Sequence, residues 1–121
     1  MDDLTPMAVE RRLRELTTEL AEATKQYVEA EHTYAKAKPA YEIVAARWRM
    51  SIRKNAAENG VRITIQEVED EALLRCATEY TELYAAEATI KALKANIQRI
   101  NAQIDVGRSL GVSVRKSMEA M

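Results

Sequence analysis

The sequence predicts an all-α protein: a long antiparallel two-helix hairpin, coiled-coil-like, with a short C-terminal helix, which assembles into a helical bundle or a ring oligomer. Three observations support this. The 121 residues include three Gly, two Pro and no Phe, a composition typical of long helices. Apolar residues recur every seven positions along two segments. The link between the segments is only about five residues, which makes antiparallel neighbours the default. We therefore expect a single domain over residues 1–121.

The first helix is predicted over residues 6–58. Thr5 is a good N-cap and Pro6 suits the first helical position, while Leu4 and Val9 have the spacing of a hydrophobic staple. Beyond them, two series of residues recur every seven positions, as the a and d positions of a coiled coil do. The first series is Val9, Leu16, Ala23, Ala30, Ala37, Val44 and Ser51, and the second is Leu13, Leu20, Tyr27, Tyr34, Tyr41 and Trp48.

Two sequence features bear on how far this helix extends. Pro39 lies within the heptad series without shifting their phase, so we expect a kinked but continuous helix rather than two helices. Asn59 and Gly60 together are a strong stop signal. The turn is therefore predicted at residues 59–63.

The second helix is predicted over residues 65–107. Thr64 and Glu67 have the spacing of a capping box. The pattern weakens between the two C-terminal glycines, so we expect a separate short segment at 112–119, capped by Ser113. The apolar series of the second helix are Cys76, Leu83, Ile90, Ile97 and Ile104, and Ala86, Leu93 and Ile100, with Leu73 and Tyr80 added in its first turns.

Charge is distributed in four blocks. Residues 1–31 are mainly acidic, 32–66 mainly basic, 67–90 mainly acidic and 91–121 mainly basic, although the net charge is only −1. An antiparallel hairpin places each acidic block beside a basic one, whereas a parallel pair would place like charges together. Exposed pairs contribute little to stability, but they specify orientation.

The residues needed for catalysis or metal binding are scarce. The chain has one His and one Cys, and it lacks a phosphate-binding glycine loop, a Ser/His/Asp set and an HExxH pattern. His32 has only Glu29 as a nearby ligand, so a solvated face is the better interpretation. Cys76 cannot form an internal disulfide, which favours a reducing cytosol and a small buried helix residue. We expect no enzyme activity, cofactor, metal, small-molecule substrate or membrane span.

Aromatic and basic residues alternate at the end of the first helix, which suits single-stranded nucleic acid because rings stack on bases and cations hold phosphates. The alternative is that Tyr27, Tyr34, Tyr41 and Trp48 fill a bundle core opposite alanines. A second basic segment near the C-terminus could contact phosphates or dock on a neighbouring subunit. The candidate nucleic-acid residues are Arg47, Trp48, Arg49, Arg53, Lys54, Arg108, Arg115 and Lys116.

A self-association or partner interface is predicted along the heptad series. Two helices alone rarely bury enough apolar surface to be stable, and several residues off the main series widen the apolar surface. Those additional residues are Val28, Ile43, Tyr80 and Tyr84. The candidate interface residues are Tyr27, Tyr34, Tyr41, Ile90, Ile97 and Ile104.

The order of these features over about residues 27–118 resembles small helical proteins from the recombination and replication regions of tailed phages, in the style of UvsY-type recombination mediators. The features are the tyrosine-rich first helix, its basic end, the acidic Glu67-to-Glu71 start of the second helix, and the Ile104-Asp105-Val106-Gly107-Arg108 segment. The resemblance implies an oligomer that binds single-stranded DNA and helps to load a recombinase.

The functional hypothesis is therefore a non-enzymatic, oligomeric, phage-type accessory protein that binds single-stranded DNA or a recombination or replication partner. Its compartment would be the cytoplasm, that of a phage-infected bacterium if the resemblance holds. The alternative is a coiled-coil protein–protein interaction module, such as a scaffold, an assembly chaperone or a phage inhibitor of a host protein.

Overall fold

A computed structural model describes residues 5–120, and every regular element among them is helical. Helix α1 spans Pro6–Glu58, α2 spans Ile65–Arg75 and α3 spans Ala77–Glu119. The all-α prediction is confirmed, while assembly into a bundle or ring stays a prediction. Within the described range, no helix has the length and apolar character needed to cross a bilayer.

Helix α1 has the predicted bounds. The Thr5 hydroxyl accepts a hydrogen bond from the Ala8 amide at 3.1 Å, which satisfies one of the free donors of the first turn. Leu4, the other half of the predicted staple, lies outside the described residues. The helix continues through Pro39 without interruption, so the prediction of one continuous helix is confirmed.

The C-terminus of α1 is closed by a Schellman motif. Gly60 has φ +63°, a left-handed conformation in which a side chain is strained. The Val61 amide donates to the Ala56 carbonyl at 2.9 Å, and the Gly60 amide donates to the Ala57 carbonyl at 3.2 Å. These two bonds satisfy carbonyls that the end of the helix leaves free, so the chain reverses within a few residues.

The predicted second helix is divided in two. Thr64 caps α2 by accepting a hydrogen bond from the Glu67 amide at 3.1 Å, as the capping motif predicts. The helix is then interrupted at Cys76, where φ is −111° and ψ is 32°. The Cys76 amide still donates to the Ala72 carbonyl, and its own carbonyl accepts from the Tyr80 amide at 2.9 Å. The break is therefore one residue long.

The prediction that the second helix ends at residue 107, with a separate segment at 112–119, is wrong. Helix α3 runs through Gly107 and Gly111 to Glu119, and Ser113 lies inside it. Neither glycine has a positive φ. A Cβ atom at Gly107 would lie 2.8 Å from Leu13 Cδ2, and one at Gly111 would lie 3.5 Å from Val9 Cγ1. Because these glycines let α1 approach closely, they serve packing rather than termination.

Contacts divide the chain into two compact units. Unit 1 comprises Met1–Glu29 and Lys91–Met121. The N-terminal part of α1 packs there antiparallel to the C-terminal part of α3, as the glycine contacts with Leu13 and Val9 show. Its core consists of Leu16, Ala23, Ile100 and Ile104, with Leu13, Leu20 and Ile97 packed against them.

Unit 2 comprises Ala30–Ile90. The C-terminal part of α1 packs antiparallel to α2 and the start of α3, since Tyr41 contacts Tyr80 and Arg49 contacts Glu69. The prediction of a single domain over the whole chain stays a prediction. The core cluster of unit 2 consists of Ile52, Val68 and Ala72, with Trp48 and Ile63 packed against them.

The buried series of α1 shifts by one residue along its length. Ala45 and Ile52 are buried where the heptad pattern predicts Val44 and Ser51, and Ser51 is exposed. A helix with 3.6 residues per turn drifts by about 20° per heptad. Over about six heptads from Val9 the drift approaches 120°, close to the angle of about 100° between neighbouring residues. The prediction of Ser51 as a seam residue is therefore wrong.

Candidate functional site

Trp48, the predicted stacking residue, contacts an arginine of its own chain. The indole is half-buried against the core cluster of unit 2, and the guanidinium carbon of Arg75 lies 4.9 Å from its ring centroid. Arg75 is held in turn by Glu71, at 3.0 Å. The sequence analysis did not single out Arg75. In an antiparallel hairpin that turns near residue 61, however, Arg75 and Trp48 are about equally far from the turn and therefore lie side by side.

Arg49, a predicted phosphate contact, forms an ion pair across the helices. Its Nη1 lies 3.6 Å from Glu69 Oε2, and the two side chains are 29% and 46% exposed. The predicted pairing of the basic end of the first helix with the acidic start of the second is present at this contact. Arg49 is consequently a poorer candidate for binding phosphate than its exposed neighbours.

The remaining basic residues of this segment, Arg47, Arg53 and Lys54, are exposed. A groove of about 490 Å³ lies beside them at the end of unit 2 that contains the turn. We call it the turn-end groove; its lining includes Trp48, Lys54, Asn55, Asn59, Glu71 and Arg75. The groove combines an aromatic ring with two cations, two amides and two carboxylates, those of Glu58 and Glu71, and it is open to solvent.

The C-terminal basic residues belong to unit 1. Arg108, Arg115 and Lys116 are exposed on α3, and Arg115 donates a hydrogen bond from Nε to the Gly111 carbonyl at 3.2 Å. Since the residues from Arg47 to Lys54 lie in unit 2, the two basic segments are surfaces of different units.

The predicted interface residues pack mostly within the chain. Ile104 is 8% exposed in the core of unit 1, where Ile97 packs beside it, and Ile90 is half-buried. The three tyrosines of the first helix are also half-buried. Lys38 Nζ lies 5.9 Å from the Tyr34 ring, and burial raises the pKa of Tyr41. Core filling, the alternative interpretation of the aromatic series, agrees with these positions.

An exposed apolar row lies on the outer side of α2 and α3. Its members Leu73, Ala77, Tyr80 and Tyr84 are separated by four, three and four residues, the spacing of a coiled-coil seam. Leu73 is 37% exposed, Tyr80 40% and Tyr84 64%. We call these four residues the outer seam. The sequence placed Leu73 and Tyr80 in the apolar series of the second helix and Tyr84 among the additional apolar residues, and the structure leaves all three exposed.

The outer seam is anchored by aromatic contacts. The Tyr80 ring lies 5.6 Å from the ring of Tyr41 and 6.3 Å from that of Tyr84, with the latter pair nearly parallel at 27°. Tyr41 is half-buried between the helices. The three rings therefore form a continuous cluster that leads from the interior of unit 2 to solvent.

A second groove of unit 2, of about 610 Å³, lies between α1 and α3. Small side chains line most of it, including Ala37, Ala40 and Ala86, and the exposed His32 stands at its edge. Among residues 5–120, no three His, Cys, Asp or Glu side chains are grouped so that they could hold a metal ion.

Cys76 has the surroundings of a structural residue. It is fully buried, and its thiol lies 2.9 Å from the Ala72 carbonyl, to which it donates. Burial, together with the Glu79 carboxylate, raises the pKa of the thiol. A nucleophilic cysteine needs the opposite, an exposed thiol with a lowered pKa.

A scan against models of protein families finds no match, and searches of curated proteins and of solved structures find none either.

Proposed function

We propose that this chain is a non-enzymatic protein–protein interaction module that binds a partner helix along the outer seam of unit 2. The observation that carries the proposal is the exposed heptad spacing from Leu73 to Tyr84. Leu73 lies on α2, and Ala77, Tyr80 and Tyr84 lie on α3. Residues three or four apart share one side of a helix, which is the surface that a second helix packs against. Helix-on-helix docking uses anchors of this kind.

The tyrosines suit this role. Aromatic residues are enriched in the centres of interfaces, and tyrosine is frequent among the residues that dominate binding energy. The outer seam offers two tyrosines whose rings already stack on each other at 6.3 Å. Because the contact with Tyr41 also restrains Tyr80, ordering this pair on binding costs less side-chain entropy than ordering free side chains would.

The experiment is photo-crosslinking in the native cells. Tyr84 is replaced by benzoylphenylalanine, a change that keeps an aromatic ring at a largely exposed position. The matched control carries the same group at exposed Glu82, about 200° around the helix. We expect protein adducts from position 84 in excess over position 82. Equal or absent adduct formation at the two positions would contradict a protein partner at the outer seam.

Binding to single-stranded DNA is the second candidate function, and the turn-end groove favours it. Trp48 and Arg75 form a cation–π pair there, Lys54 lines the groove, and Arg53 is exposed close by in sequence. The candidate ranks second because Arg75 contacts the indole and Glu69 pairs with Arg49. A role with a recombination or replication partner, as the phage resemblance suggests, belongs to this candidate.

A gel-shift assay with single-stranded DNA tests this second candidate. Phosphate contacts are strongest at low salt, so the assay is run at about 50 mM and again at about 200 mM. Binding that is weakened by Arg53→Ala and Lys54→Ala, but not by Lys25→Ala in unit 1, would support it. No shift at the lower salt concentration would exclude it.

A further inference from the structure

The surfaces of unit 2 indicate which molecule binds the outer seam, an inference that rests on the proposed function. We infer that the occupant is a second copy of this chain, which lays its helix α1 across α2 and α3 of the first. The arrangement is a two-fold symmetric dimer of unit 2. Each copy contributes two helix segments to a four-helix bundle, its part of α1 and the pair formed by α2 and the start of α3, and neighbouring segments run antiparallel. Surface area, charge and side-chain size support this occupant independently.

The accessible surface of the chain is larger than a stable monomer of its mass exposes. It measures 9238 Å², whereas a compact monomer of 13.7 kDa exposes about 6,600 Å². The excess is about 2,600 Å² per chain, so two chains together expose about 5,200 Å² more than two compact monomers would. Obligate dimers bury about 2,000–5,000 Å² in total, so a second copy covers a large part of this excess.

Charge selects which helix of the second copy lies on the seam. In unit 2, α1 is mainly basic after His32, whereas α2 and the start of α3 are mainly acidic from Glu67 to Glu87. Placing α3 on the second copy's α3 would set acid against acid. Placing α1 on the second copy's α2 and α3 sets a mainly basic segment against a mainly acidic one at both halves of the symmetric interface.

The side of α1 that borders the outer seam is identified by one ion pair. Arg49 contacts Glu69, which is four residues before Leu73 and thus on the same side of α2. Residues of α1 that share the side of Arg49 follow the same spacing of three and four. They are Ala35, Pro39, Glu42 and Ala46.

Side-chain sizes on the two surfaces are complementary. This side of α1 carries the small Ala35, Pro39 and Ala46 together with the exposed Glu42, while the outer seam carries two tyrosines and a leucine. Under a two-fold axis parallel to the helices, each residue of the second copy keeps its level along the bundle. Ala46 of the second copy then lies near Leu73 and Ala77, and its Pro39 lies near the tyrosines. Large side chains thus meet small ones, as close packing requires.

Light scattering and crosslinking of the full chain test this inference. We expect a dimer at micromolar concentration, and we expect Tyr84→Glu to weaken dimerisation by more than about tenfold. Leu73→Ala weakens it as well, whereas Leu74→Ala does not, because Leu74 is 77% exposed on another side of α2. Circular dichroism shows whether each variant keeps its helices.

The position of the second copy is tested with single cysteines in a Cys76→Ala background. Chains with Ala46→Cys are mixed with differently tagged chains with Ala77→Cys and treated with a short bismaleimide. Adducts between the two tags are expected in preference to adducts between two Ala77→Cys chains. The control pair, Ala40→Cys mixed with Ala85→Cys, lies at the other groove and is expected to react less.

Three results would each overturn the inference: a monomeric chain, a preference for adducts between two Ala77→Cys chains, or a stronger reaction of the control pair.

Photo-crosslinking at position 84 distinguishes failure of this inference from failure of the proposed function. An adduct with twice the mass of the chain supports both. An adduct with a different protein, combined with a monomeric chain, leaves the interaction module standing and excludes the second copy. No adduct above the control contradicts both.

Discussion

The guanidinium carbon of Arg75 lies 4.9 Å from the centroid of the Trp48 ring. This contact joins the last residue of α2 to α1 immediately before the helix is interrupted at Cys76. It is a cation–π interaction, because the positive group lies within about 6 Å of an aromatic ring. The same contact holds the last turn of α2 in place and covers the residue that the sequence offers as a base-stacking platform.

Removal of this contact has a direct optical readout, because Trp48 is the only tryptophan of the chain. We expect Arg75→Ala to shift the Trp48 emission to longer wavelength, since water gains access to the ring. The loss of stability should be about 0.5–1 kcal/mol, the usual range for an exposed cation–π pair. Arg62→Ala, an exposed residue of the loop, is the control. Identical emission spectra of wild type and Arg75→Ala would show that the contact is not populated in solution.

The two glycines of α3 should respond differently to alanine. Gly111→Ala should stabilise the protein by about 0.5–1 kcal/mol, because alanine favours the helix and its Cβ would meet Val9 at an ordinary 3.5 Å. Gly107→Ala has the same helical advantage, but its Cβ would lie 2.8 Å from Leu13 Cδ2. Overpacking of this kind costs about 1 kcal/mol or more, so this variant should be no more stable than wild type.

Urea denaturation of both glycine variants measures the difference. If the helix ended at residue 107, as the sequence predicts, the two glycines would not both lie in a helix packed against α1, and this difference between the variants would not be expected. A difference in favour of Gly111→Ala therefore checks both the continuity of α3 and its distance from α1.

Leu16 and Ile100 are the most deeply buried large residues described in unit 1, each at 1% exposure. We expect Leu16→Ala to cost about 2–5 kcal/mol, because it removes apolar contacts and leaves a cavity beside Ile100. Leu74→Ala is the matched control, since Leu74 is 77% exposed and its truncation should change stability by less than about 0.5 kcal/mol. Thermal unfolding followed by circular dichroism compares the two, and equal losses would contradict the core assignment.

Alkaline pH should destabilise the protein through Cys76. Burial raises the pKa of the Cys76 thiol above its ordinary value of 9.0, so the folded state holds the proton more tightly than the unfolded state. The stability contribution is therefore complete below pH 9.0 and falls as the pH rises above that value. We expect the free energy of unfolding to decline over this range, and to decline less in Cys76→Ala.

Tyr41 adds to this decline at higher pH, because burial raises its pKa above the ordinary 10.0 in the same direction. Denaturation at several pH values from neutral upward separates the two residues. Equal pH dependence in wild type and Cys76→Ala would exclude the cysteine as a cause.

Local signals predicted most of the helical structure. The cap at Thr5, the left-handed Gly60 and the cap at Thr64 lie where short motifs indicate them. Each depends on hydrogen bonds between residues at most five positions apart, so the chain specifies them without reference to its packing. The continuous path of α1 through Pro39 was likewise predictable, from the unbroken phase of the heptad series.

The candidate site was predicted less well. The basic residues near Trp48 were found by their sequence pattern, but the contacts made by Arg75 and by Glu69 decide which of them remain available. Three residues of the outer seam were predicted as apolar, Leu73 and Tyr80 in the heptad series and Tyr84 beside it, but their shared exposure was not. Exposure is the property that distinguishes it from the buried series, and exposure depends on which sides of the helices the rest of the chain covers.

Local sequence motifs are enough to predict that this protein is helical, where α1 begins and ends, and that the chain reverses after Gly60. Packing between helices is needed to explain why α2 ends at Arg75, why Ile52 rather than Ser51 is buried, and why α3 continues through its glycines. The physical reason is the range of the interactions involved. Helix caps and turns depend on hydrogen bonds between residues that are close in the sequence. Which side of a helix is buried, and whether a glycine is tolerated within it, depends on the distance to another helix, and a local sequence pattern does not specify that distance.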